Sequence, residues 1–391
     1  MGAGDEAGTF TSFISFPNPR PKAGFDTGSQ YVLTTTPERQ TLVSHWLAWA
    51  RLFNCGALKA VVQWIEGTGG WAPWWFLALF IAASGLMIWR LESMNAGGFE
   101  GTVLGTLVMP YCSGMGNLIF AFVMGAKHGP GAEVLTNCLV NNVTNLTLLI
   151  GLPTLLWGVS SKPPKKSKPS KSKKRNEQQA QKLNRLTLLL TLTAVFFFTG
   201  AVWALGRHGR LDCWDGLVLI GLFLFWQCFH VFEVLKSNVR QNKSFGWMLP
   251  VDLALLAFGS YVLYISTDWL VDWVSGLHTG FLSAKHLGWL SGWLMVLPNA
   301  LLAFYYGWRG NPEVVYTSQV GDGHICIPLC VGIYALYYPI QTPPFFQTGL
   351  TILLSAAAFH LVLITLFGQL PRWTAWVLLA AYAVFVYEGL A

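Results

Sequence analysis

Charge is what this sequence has least of. Only 11% of its 391 residues are Asp, Glu, Lys or Arg, while 53% are hydrophobic; an ordinary soluble domain is roughly a quarter charged. No single water-soluble core absorbs that imbalance. Catalytic punctuation is also missing: the chain holds no H-E-x-x-H, no paired Asp motif and no G-x-S-x-G, which argues against an enzyme. The seven cysteines, Cys55, Cys112, Cys138, Cys213, Cys228, Cys326 and Cys330, form no C-x-x-C pair and lie mostly in apolar stretches. Neither a disulfide framework nor a zinc site is expected, and no cofactor is implied. The opening 40 residues, with Pro17, Pro19, Pro21 and Pro37 among polar neighbours, lack the apolar core of a secretory signal peptide and read as a polar leader.

What is present is long apolar runs. They reach about 20 residues, the length a helix needs to cross about 30 Å of hydrocarbon. A sliding hydropathy reading predicts spans near 71–92, 100–125, 134–158, 186–206, 212–236, 247–268, 284–307, 313–338, 347–368 and 373–389. The fold class expected is an all-α polytopic membrane protein of about ten transmembrane helices. Many of the 19 tryptophans stand at segment ends, among them Trp71, Trp74, Trp75, Trp89, Trp269, Trp273, Trp289 and Trp293. Indoles there suit the headgroup level or the packing between helices equally well. Residues 42–65, with Arg51, Lys59 and the adjoining Glu66 among aliphatic and Trp residues, suit an interfacial amphipathic helix better than a span.

Positive charge is concentrated. Residues 162–185, KPPKKSKPSKSKKRNEQQAQKLNR, hold ten Lys or Arg against one Glu, so this segment alone accounts for the net charge of +7. That charge carries no argument for nucleic acid. The composition predicts a disordered loop over 159–185, and the positive-inside rule puts it in the cytoplasm of a plasma or cytoplasmic membrane. Lys236, Arg240 and Lys243 fall on the same side two crossings later. The loop orients the protein in membrane lipid, and it also suits contact with anionic headgroups. The domain organisation expected is a leader and interfacial helix over 1–70, a first five-helix half over 71–236 and a second over 237–391.

The halves are related. Shifting the chain by 182 positions superimposes residues 116–145 on 298–327 without a gap: Asn117 on Asn299, Ala121 on Ala303, Phe122 on Phe304, Gly125 on Gly307, Pro130 on Pro312, Thr136 on Ser318 and Asn137 on Gln319. The copies are five spans apart, and an odd offset means opposite orientation in the membrane. Inverted repeats of this kind mark secondary transporters, in which interrupted helices of both halves meet near the midplane around the substrate. The repeated segments carry the interruptions: Pro110, Gly114 and Gly116 precede Asn117, and Pro298 precedes Asn299. Within the first copy, Asn137, Asn141 and Asn145 stand one turn apart on a single helical face, with Asn142 beside it. Carboxamides in hydrocarbon are costly unless bonded; one or two would serve as interhelical glue, but four in nine residues favour a carbonyl-lined ion or solute site.

The stretch TNCLVNNVTNLTLLIGLP over 136–153 resembles the second repeat helix of the calcium/cation antiporter superfamily, to which the sodium/calcium exchangers belong. GRLDCWDGLVLIGLFLFWQ from Gly209 is similar to the family's fifth-helix opening. The resemblance spans about 320 residues and implies two inverted five-helix repeats exchanging cations by alternating access. It places the family's helix-breaking Glu on Asn117 and on Asn299. The serine ligand falls on Asn141 and on Gly323, and the late polar ligand on Asn145 and on Ile327. Both breaking carboxylates have become amides. A calcium ion wants six to eight oxygens including carboxylates, so the site expected from Asn117, Asn141, Asn142, Asn145, Asn299 and His324 suits a monovalent or weakly charged cation. His324, two residues after Asp322, is a candidate for proton coupling, though a histidine satisfied by a backbone carbonyl is an equal reading. Two functions stay open: a secondary cation transporter with a carboxylate-free site, or a non-transporting membrane subunit or sensor that kept the fold.

Overall fold

The computed structural model describes residues 56–96, 111–112, 114–158, 171–238, 248–310, 312–321, 323–368 and 370–391. Over these residues the chain is helical apart from one short strand pair. Helix α1 (Gly56–Glu66) precedes α2 (Ala72–Ala96), α3 (Met115–Ala126), α4 (Gly131–Leu146), α5 (Leu148–Trp157), α6 (Lys171–Leu205) and α7 (Cys213–Asn238). The second half runs through α8 (Leu249–Ser275), α9 (Leu287–Trp308), α10 (Pro312–Gly321), α11 (Gly323–Ile325), a π-helical turn Cys326–Cys330, α12 (Val331–Tyr337), α13 (Phe346–Phe367) and α14 (Thr374–Leu390).

Eight segments are long and apolar enough to cross a membrane, and Met115–Ala126 and Thr374–Leu390 are shorter apolar helices. Counting α4 with α5 and α10 with α11 and α12, and adding the two shorter helices, the described residues hold ten candidate crossings. The contacts between distant residues agree with that count, since each joins ends on the same face. Arg90, late in α2, pairs with Asp252 early in α8 at 3.2 Å, and Tyr306 late in α9 donates to Glu92. Arg185 early in α6 donates to the Ile364 carbonyl late in α13. On the opposite face Lys127, just after α3, bonds Asp268 and Asp272 late in α8 at 2.7 and 2.6 Å. There too strand β1 (Arg210–Leu211) pairs antiparallel with β2 (Ile340–Gln341). Beneath this strand pair α7 and α12 touch backbone to backbone: a Cβ at Gly216 would stand 2.8 Å from the Gly332 carbonyl oxygen.

The core is a buried column. The segment Gly131–Trp157 is 78% buried and Ser318–Tyr337 75%, whereas Gly69–Met94, Leu188–His208 and Cys213–Phe232 are 33% or less. A helix buried on every side within a bundle is where polar residues are tolerated in a membrane protein. The tryptophans divide accordingly. Trp71, Trp74, Trp75 and Trp89 are exposed at the ends of α2, as a headgroup belt requires, while Trp289 is buried against Phe385 and Trp269 stacks on Phe76.

Two sequence expectations need adjustment. The basic segment expected as a loop through residue 185 is helical from Lys171 onward; beyond Pro169 no proline intervenes, and Glu177, Gln178, Gln179, Ala180 and Gln181 are strong helix formers that extend the span outward. Residues 159–170 lie outside the described residues, as do residues 1–55, with the expected leader, and the whole 97–110 stretch that opens the expected second span. Pro298 does not interrupt its helix, since α9 runs through it unbroken; a transmembrane helix tolerates the lost backbone bond when neighbours compensate. The second half breaks instead at the π turn around Pro328. With the same offset of 182, Thr147, where α4 gives way to α5, matches Leu329 inside that turn, so the two buried helices are broken at equivalent points.

Candidate functional site

Helix α4 begins after Pro130, whose backbone is extended, and places Glu133 in its first turn, where a carboxylate favours the helix dipole. Its polar residues then descend into the protein. Asn137, Asn141 and Asn145 have no solvent exposure, and Asn142 retains 1%. The amide hydrogens are taken: Asn137 Nδ2 donates to Ser291 Oγ at 3.0 Å, Asn142 Nδ2 to the Cys138 carbonyl at 2.7 Å, and Asn141 Nδ2 makes a weaker contact to Cys326 Sγ at 3.5 Å. The oxygens are not. Asn117, Asn137 and Asn141 Oδ1, Thr144 Oγ1 and Gln319 Oε1 are buried without a donor among the described residues. An unmade bond to a buried polar atom costs about 1–3 kcal/mol, so five such acceptors are a large concession unless something positive faces them.

The predicted residues converge in part. Asn141 and Asn142 meet the second half directly: a Cβ at Gly323 would lie 3.0 Å from Asn142 Oδ1. Asn117 is 3% exposed in the first turn of α3, with Gly116 against Met295 Sδ, one turn before Asn299 on α9. Asn299 itself accepts Gln319 Nε2 through its backbone carbonyl at 3.2 Å, and Asn145 is also bonded. Asp322 lies outside the described residues, and so does the His324 side chain. No group of three or more His, Cys, Asp or Glu among the described residues could hold a metal ion.

Several contributors escaped the sequence reading. Ser291 is a lone serine in an apolar helix, with no signal of its own. Gln319 could have been found, because the repeat aligns it with Asn137. Cys326 enters as a hydrogen-bond partner of Asn141 and, through its carbonyl, of Cys138 Sγ at 3.3 Å. His360, buried in α13, bonds Leu146 O through Nε2 at 2.8 Å and the Tyr316 hydroxyl through Nδ1. It ties the end of α4 to α10, which is a structural task.

Comparison with known proteins agrees with this architecture. The family model of the sodium/calcium exchanger protein matches residues 71–232 and 251–388. Among solved structures, the sodium-calcium exchanger NCX_Mj soaked with 10 mM Na+ and zero Ca2+ has a TM-score of 0.54 at 18% identity, covering 80% of this chain and 96% of that one. The same exchanger with 2.5 mM Na+ and 10 mM Sr2+ gives 0.53 at 17% identity, with 80% and 96% covered. No curated protein matches the chain. The family match covers both halves and leaves out little beyond residues 1–70 and the short connection between them, and on that ground the chain belongs to the sodium/calcium exchanger family.

Proposed function

We propose that this protein is a secondary transporter of a monovalent cation, working by alternating access of two inverted five-helix halves around an amide-lined site. The observation that carries the reading is the set of buried acceptor oxygens of Asn117, Asn137 and Asn141 left without donors. A cation is the partner that carbonyl oxygens accept without offering a hydrogen in return. Calcium is disfavoured, because Asn117 and Asn299 stand where the resemblance places the family's Glu, and a divalent ion among neutral amides keeps its charge uncompensated in a medium of low dielectric. In this reading Asn117, Asn141, Asn142, Asn145 and Asn299 coordinate the ion, and the Asp322–His324 pair supplies a titratable element. The segment 159–185 faces the cytoplasm by the positive-inside rule and touches anionic lipid there.

The test is flux of Na+, K+, Ca2+ and H+ into liposomes holding the purified protein, beside the Asn117→Ala/Asn299→Ala double variant. Monovalent flux that disappears in the variant is expected. Absence of flux above empty liposomes for all four ions, from protein shown to be folded, would overturn transport in favour of a non-transporting subunit or sensor.

A further inference from the structure

Among the described residues the amide site holds no carboxylate, and one carboxyl group stands a helical turn from it. Among the described side chains of the spanning helices, the other acids are occupied or exposed. Asp252 pairs with Arg90, Asp268 and Asp272 pair with Lys127, and Glu92 accepts the Tyr306 hydroxyl. Asp215 accepts the Asp212 backbone N–H, and Glu388 is exposed near the chain end. Glu133 differs. It is partly buried and has no ion-pair partner among the described residues; its Oε2 accepts the Gly288 backbone N–H at 2.5 Å, while Oε1 accepts no bond from a described residue.

Its position ties it to the asparagines. Glu133, Asn137 and Asn141 are spaced four apart, so each lies one turn below the last along the same face of α4. At about 1.5 Å of rise per residue the carboxylate is roughly 6 Å from the level of Asn137 and roughly 12 Å from that of Asn141. A hydrogen-bonded ring fixes the first pair: Gly288 N–H to Glu133 Oε2, Ser291 Oγ to the Gly288 carbonyl at 3.1 Å, and Asn137 Nδ2 to Ser291 Oγ. The ring consumes the Asn137 nitrogen and leaves its fully buried Oδ1 without a donor. The helices meet too closely for side chains between them, since a Cβ at Gly288 would stand 2.7 Å from both Glu133 O and Oε2. The result is a carboxyl oxygen and an unpartnered amide oxygen held one turn apart, at the start of a polar stripe that leads to the break at Thr147.

We propose that Glu133 and Asn137 form an outer site for a monovalent cation, in which the single carboxylate balances the single charge of the ion before it moves to Asn141. This rests on the cation-transport reading above and supplies the charge that reading leaves open. A divalent ion there retains a net positive charge, which sets the preference for Na+ or K+ over Ca2+. The competing role for Glu133 is to cap the N-terminus of α9 and nothing more.

Gln at 133 separates the two roles, because it keeps an oxygen for the Gly288 N–H and removes the charge. Thermal unfolding of the full chain in detergent is followed as choline chloride is replaced by NaCl or KCl at constant ionic strength, a readout that does not require transport. Ion binding to the folded state raises Tm with concentration. The wild type and the Asn117→Ala/Asn299→Ala variant are expected to gain Tm in Na+ or K+. Glu133→Gln is expected to unfold as the wild type does in choline and to need at least tenfold more cation for the same gain. Asn137→Ala, which leaves the cap untouched, is expected to shift the same midpoint. A wild-type response to cation in Glu133→Gln and Asn137→Ala overturns the outer site, as does a wild type that responds to neither ion. A response lost in the Asn117/Asn299 variant but kept in Glu133→Gln overturns it while leaving cation transport standing.

Discussion

The two halves of this molecule share a fold and differ in what they place at equivalent positions. In the first half the buried helix carries Asn137, Asn141, Asn142 and Asn145 and continues past its break at Thr147 as ordinary α-helix. In the second the matching residues are Gln319, Gly323, His324 and Ile327, and the chain passes into a π turn through Pro328. One half concentrates the amides. The other brings its backbone close at Gly323 and places the Cys326 sulfur against Asn141. A repeat that starts symmetric can therefore divide its roles, with the amides on one side and close backbone approach on the other.

Removing the first half's oxygens should have the largest effect. Asn141→Leu is expected to lower monovalent flux in liposomes by about 100-fold, the equivalent of one lost buried polar contact of about 3 kcal/mol. The reciprocal change is expected to restore nothing: Ile327→Asn puts an amide among apolar neighbours and should destabilise by about 1–3 kcal/mol in thermal unfolding. A gain of flux in Ile327→Asn would break the comparison.

Next comes the seam between the halves. At Gly292 of α9 a Cβ would stand 2.7 Å from Val140 Cβ and 3.1 Å from the Asn137 carbonyl, so Gly292→Ala must part α9 from α4. A loss of about 1–3 kcal/mol is expected from overpacking, read as a lower Tm in detergent. His360→Phe fills a similar volume but leaves the Leu146 carbonyl and the Tyr316 hydroxyl without their shared partner, at a cost of about 1–2 kcal/mol by the same measurement. The smallest effect is expected at the rim. Lys127→Met removes the partly exposed pairs to Asp268 and Asp272 and should cost about 0.2–1 kcal/mol, less at high salt.

The comparison also marks what the sequence could disclose. Hydropathy is a property of runs, so ten crossings and their parity were legible residue by residue. The asparagine stripe was legible because helical spacing needs no partner. Ser291 and the Cys326 sulfur were not, because each meets its asparagine across 154 or 185 positions, and nothing local distinguishes them from packing. Pro298 misled for a related reason: a proline breaks an isolated helix, but within a bundle the neighbours decide where the break falls, and here it falls near Pro328.

The small strand pair on the face opposite the basic segment has a mechanical meaning. It joins the turn between α6 and α7 to the turn between α12 and α13, and directly below it Gly216 and Gly332 leave no side-chain cushion between α7 and α12. Two attachments along one seam remove both hinge and slide at that edge. Helix α7 and helix α12 are thus a single lever, although they come from opposite halves, and any rocking of the second half's buried helix must carry the first half's last helix with it.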